Sequence, residues 1–116
     1  MTDSKERGLE IIETLFKRAP ASDDVNADLM ELSVKHLFGD VWSRSQLSLR
    51  DREMITLAVL AAGGWERQLR VHIVGALNAG LSKEEITETF THIAYYAGYP
   101  AGFTALAVAR EVFSSN

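Results

Sequence analysis

Apolar residues recur at three- and four-residue intervals through almost every segment of this chain, and strand-like alternation does not compete with that period. A chain so patterned buries one stripe of each helix, so the reading is all-α. It is a compact bundle of about six helices in a single domain, residues 1–116. Leu9, Ile12, Leu15 and Phe16 mark a first helix from about Lys5 to Arg18, stopped by Pro20. Ser22 starts a second with Asp23 and Asp24 at its positive end, and Val25, Leu29, Leu32 and Leu37 carry it to a stop near Gly39. Gly39 to Gln46 reads as loop.

Ser48 and Asp51 have the form of a capping box, and the third helix behind them is nearly apolar all round, which places it at the centre of the core. Gly63-Gly64 ends it. A fourth helix follows from Gly64 or Trp65 and closes at Gly80, a residue suited to the left-handed position past a helix. Ser82 and Glu85 form a second capping box for a fifth helix that runs to about Ala97. Tyr99-Pro100 opens the last, because Pro is tolerated in a first helical turn. The ends, 1–4 and 114–116, read as loose.

Twelve basic against sixteen acidic residues give a net charge of −4, which argues against a nucleic-acid surface. With no Cys there is no thiol chemistry and no thiolate metal site. The first residues are polar, and no run approaches the ~20 apolar residues of a membrane span, so the expectation is a cytoplasmic protein without a membrane partner.

Few residues in the apolar middle can do chemistry. Gln68 and His72 lie one turn apart on the fourth helix, and Glu53 sits at a comparable depth on the other arm of the hairpin about Gly63-Gly64. Glu53 shares a face with Leu57 and Leu60, so a partly buried carboxylate with a raised pKa is expected, able to exchange protons near neutral pH. Gly75 and Ala76 leave room beside His72 for a small ligand. A His on a mixed helix face is also a common structural residue, so both readings stand. Arg52, Arg67 and Arg70 read as solvated or ion-paired charges, and Trp42 and Trp65 as packed. His92, Tyr95, Tyr96 and Tyr99 share one helical face, which suits a pocket wall or half-buried packing at a core edge or subunit contact. His36, His72 and His92 sit in separate helices without paired-ligand spacing, so no metal site is read.

Four ordered segments carry a resemblance: HLFGDVWSR at 36–44, REMITLAVL at 52–60, LRVHIVGALNAGLSKEEITE at 69–88 and YAGYPA at 96–101. Together they resemble the carboxymuconolactone decarboxylase family, which shares its helical fold with the AhpD-like alkylhydroperoxidases. The peroxidase branch uses a Glu, a C-x-x-C pair and a His. Carried over, the Glu falls on Glu53, the His on His72 and the cysteines on Trp65 and Gln68, so both thiols are missing and the dithiol peroxidase reaction is excluded. In the decarboxylase branch Glu is typical where this chain has Gln68, and a small polar residue is common where it has Glu53.

The resemblance implies a cofactor-independent carboxy-lyase of aromatic-acid catabolism acting on a small anionic lactone such as 4-carboxymuconolactone. His72 would donate a hydrogen bond or proton to the developing enolate, Glu53 would set its protonation, and Gln68 would orient the substrate. Arg44 and His36, in the first matched segment, would hold a substrate carboxylate or else fix that segment to the bundle. Tyr96 would line the pocket. An isomerase or proton-transfer enzyme on a related cyclic acid, and a non-catalytic ligand-binding oligomer, are the alternatives. The resemblance also implies a trimer or hexamer of identical chains.

Overall fold

Asp3 has extended backbone geometry and its carboxylate accepts the Glu6 backbone N–H at 2.8 Å, an N-cap that starts α1, Ser4–Phe16. The computed structural model describes residues 3–115, all of whose regular elements are helical. Ser4, Ser114 and Ser115 therefore belong to helices rather than loose ends, while Met1, Thr2 and Asn116 lie outside the described residues. The fold divides into two compact units, at residues 1–48 and 49–116.

In the first unit α2 spans Ala27–Leu32, beginning later than Ser22. Local polar bonds explain the delay. Asp23 Oδ1 accepts the backbone N–H groups of Val25 and Asn26, each at 2.8 Å, and Asn26 Oδ1 accepts that of Asp23, closing a turn instead of capping a helix. The expected stop near Gly39 is overturned as well. A π-helix, Ser33–Trp42, continues directly from α2 through Gly39, and only residues 43–46 of the expected loop are non-helical.

Gly39 is a site of close approach, not of termination. A Cβ there would overlap the backbone carbonyl of Ser4, and one at Gly8 would overlap that of Val34, so two glycines let α1 and the π-helix meet backbone to backbone. Ile12, Leu15, Val34, Phe38 and Trp42 fill the core of this unit, with Phe38 edge-on to Phe16 and 5.5 Å between centroids from Trp42.

The second unit packs four helices: α3, Leu49–Gly63; α4, Glu66–Asn78; α5, Lys83–Ala97; and α6, Tyr99–Ser115. The Ser82–Glu85 capping box is present in both directions, at 3.0 and 2.9 Å, and Gly80 turns with positive φ as expected, as does Gly64. Leu57, Leu69, Ile73, Ile86, Phe90 and Val108 are the centre of the core. The expectation of an all-round buried α3 fails at Ile55 and Val59, both more than half exposed; only the stripe of Glu53, Leu57 and Ala61, at i, i+4 and i+8, is buried. Among the described residues no helix is long and apolar enough to cross a membrane.

Candidate active site

The buried stripe of α3 is what makes Glu53 unusual. Because Leu57 and Ala61 must face the core, the same helical phase takes Glu53 inward, and it is the buried charged side chain of the described residues, at 0 % exposure. Burial is more complete than its neighbours in sequence implied. α3 turns at Gly64 into α4, and this hairpin brings His72 Nδ1 to 2.8 Å from Glu53 Oε1. The second oxygen, Oε2, is buried without a hydrogen bond.

Desolvation pushes the Glu53 carboxyl above its ordinary range, and the hydrogen bond and charge of His72 oppose that rise without cancelling it. A carboxyl so placed is readily protonated. When ionised it accepts Nδ1–H and fixes the tautomer with the proton on Nδ1; when protonated it can donate to Nδ1 instead. In either state Nε2 lies on the opposite edge of the ring from Glu53. The imidazole is mostly buried, its side chain 15 % exposed.

Gln68 is exposed on α4, one turn before His72 on the same face. Trp65 departs from its expected packing: it is 56 % exposed at the start of α4, with the benzo edge of its indole over Gly63. Arg70 is ion-paired with Glu111 at 2.6 Å, as its helical position suggested. Tyr96 projects from α5, 82 % exposed, and stacks on His92 with 5.0 Å between ring centroids; Tyr95 and Tyr99 are exposed too, so this face is not packed at the edge of the chain's own core. A groove of about 450 Å³ opens between α3 and α5, lined by Met54, Ile55 and Ala58 on one side and Glu85, Glu88, Thr89, His92 and Ile93 on the other. Neither Glu53 nor His72 lines it.

His36 and Arg44 belong to the first unit. His36 Nδ1 is 3.1 Å from Asp40 Oδ2, and Asp40 also accepts from Ser4 Oγ at 2.5 Å and from Arg7 Nη2 at 3.3 Å. These bonds hold the Asp40 carboxyl below the usual carboxylate range, the Ser4 bond first and then that to His36. Asp40 therefore ties the π-helix to α1 through Ser4 and Arg7, and His36 meets the same carboxylate from within the π-helix. Arg44 is exposed, its Nε donating to Gln46 Oε1 at 3.4 Å. Asp40 was not singled out in the sequence, although its i+4 spacing from His36 was a usable signal.

Residues 27–111 match the sequence model of the Carboxymuconolactone decarboxylase family. The chain belongs to the carboxymuconolactone decarboxylase family. Within it, the chain is 40 % identical over 91 residues to the 4-carboxymuconolactone decarboxylase of Acinetobacter baylyi, covering 78 % of this chain and 68 % of that protein. It is 31 % identical over 84 residues to the nitrosuccinic acid decarboxylase npaB of Metarhizium robertsii, covering 72 % of this chain and 59 % of the relative. An uncharacterised 15.0 kDa protein of Paracoccus denitrificans is 33 % identical over 94 residues, with 79 % of this chain and 67 % of that protein covered. Two of these relatives are named as decarboxylases, so the relationship supports a carboxy-lyase at the level of the family. The match takes in all of α2 to α5, Glu53 and His72 included, and as a cysteine-free member of the family the chain has no dithiol pair.

Proposed function

We propose that this protein is a cofactor-independent decarboxylase of a small carboxylated lactone such as 4-carboxymuconolactone, in the breakdown of aromatic acids. The observation that carries the reading is the buried Glu53–His72 pair: an imidazole held at Nδ1 by a carboxylate that burial makes easy to protonate. Breaking the bond to the carboxylate releases CO2 and sends its electron pair into the unsaturated lactone, which becomes an enolate. A carbon of that enolate must then take a proton. His72 supplies it from Nε2, and Glu53 stabilises the protonated ring at Nδ1 before transfer and holds its orientation afterwards. Gln68, one turn away on the same face, orients the lactone through its amide.

Incubating the pure protein with carboxymuconolactone tests this, with substrate loss and CO2 release followed together. Turnover no higher than that of His72→Ala would reject the reading. The same pair also suits a second reaction, proton transfer that isomerises a related cyclic acid, because an acid/base dyad serves whether or not a carbon–carbon bond breaks. Product analysis with unsaturated lactone acids separates the two.

The aromatic face of the second unit supports self-association into a trimer or hexamer. Tyr95, Tyr96, Tyr99 and Phe103 are 57–82 % exposed, and Tyr-rich uncharged surface is typical of the core of an interface.

A further inference from the structure

Trp65 combines exposure with a fixed seat. Its indole rests over Gly63, where any side chain would collide with the ring, and its backbone N–H donates to the Leu60 carbonyl at 3.1 Å across the Gly64 turn. An aromatic ring that is 56 % exposed gains little from burial, yet the turn holds it in place. Trp65 is the N-cap residue of α4, and Gln68 and His72 follow it at i+3 and i+7, one turn apart on a single stripe that begins at the capped end of the helix. At a rise of about 1.5 Å per residue the stripe is about 10 Å long. Side chains on a helix lean toward its N-terminus, so the imidazole inclines over the turn that carries Gln68, toward the indole.

We propose that Trp65 is a specificity-determining residue of the Glu53–His72 site, a preset aromatic wall that selects substrates with a flat, conjugated ring over puckered, saturated ones. This rests on the reading that substrate engages His72. A ring lying across Gln68 presents one edge to His72 and its face to the indole, and offset stacking is open only to a planar ring. An unsaturated lactone meets that requirement, and so does any small aromatic or heteroaromatic acid.

The test is binding, independent of turnover. Two acids of the same size serve as probes: 2-furoate, which is flat, and tetrahydrofuran-2-carboxylate, which is puckered. Their affinities are compared by calorimetry in the wild type, Trp65→Phe and Trp65→Leu. Because residue 65 is exposed, all three should keep the same melting behaviour, checked by circular dichroism. The expected result is about five-fold tighter binding of 2-furoate by the wild type, the size of one aromatic stacking contact, largely kept in Trp65→Phe and lost in Trp65→Leu. Equal binding of the two acids by the wild type, failure of the wild type to bind either, or discrimination that survives in Trp65→Leu would each overturn the proposal. Failure of the decarboxylase reading looks different: carboxymuconolactone is not turned over while Trp65-dependent selection of the flat acid persists. Turnover with the same KM in the wild type and Trp65→Leu would remove the wall and leave the reaction standing.

Discussion

His72 Nδ1 and Glu53 Oε1 are 2.8 Å apart across the α3–α4 hairpin, and the carboxylate that holds the imidazole is itself shut off from water. The pair is thus oriented from the protein side, and in the proposed reaction the ring would answer to a group that no ligand needs to touch.

If His72 delivers the proton, His72→Gln lowers kcat by about 10²–10⁴-fold, the usual worth of a general acid. Glu53→Gln acts through the imidazole and gives a smaller loss, along with a displaced pH profile of kcat. Steady-state CO2 release across pH measures both. An unshifted profile in Glu53→Gln would remove Glu53 from its positioning role.

Stability should report the same burial. Desolvation raises the Glu53 pKa above the ordinary 4.5, so the folded state holds that proton more tightly than the unfolded chain. The stabilising contribution is complete below about pH 4.5 and is lost as pH rises through the folded value. Glu53→Gln cannot titrate, so thermal melts of the wild type fall relative to the variant as pH increases from 4.5 upward. Parallel curves would contradict the assignment.

Gly8→Ala places a methyl group against the Val34 carbonyl, where neither backbone can yield without moving a helix. The expected cost is about 3 kcal/mol, at the upper end for overpacking, seen as a lower urea midpoint with a changed Trp42 emission. An unchanged midpoint would mean that the two helices are not locked at this contact.

The α5 cap offers a graded test. Ser82→Ala removes the acceptor of the Glu85 N–H and costs about 1 kcal/mol, whereas Ser82→Gly costs only a few tenths. Equal losses in chemical denaturation would show that the hydroxyl bond is not the source of the effect.

Self-association through the aromatic face predicts that Tyr96→Asp combined with Tyr99→Asp lowers the mass seen in sedimentation velocity, while the secondary structure is retained. Both side chains are more than half exposed in the chain itself, so folding does not depend on them. An unaltered sedimentation coefficient would move the interface elsewhere.

Features set by local chemistry were legible before the fold was known. Ser82 and Glu85 cap each other because three residues separate them, and the all-α class follows from apolar spacing. The convergence of Glu53 and His72 was legible as a question of depth along a hairpin, and its answer required the helix rotation that Leu57 and Ala61 impose. Gly39 misled for a physical reason: glycine serves equally at a helix end and at a close backbone contact, and only the partner helix distinguishes them. Ser22 failed as a cap because Asp23 and Asn26 bonded each other first. The exposure of Ile55 and Trp65 was invisible because an apolar residue looks the same in sequence whether it faces a core or water.

The glycine contact of the first unit also predicts covariation among relatives. Gly39 lies inside the stretch shared with the family, but the backbone it accommodates is that of Ser4 in α1, which precedes that stretch. A relative with any larger residue at this position has no room for an N-terminal helix docked in the same way. Glycine at this position thus becomes a marker, readable in an alignment, that sorts family members by how their first helix is attached.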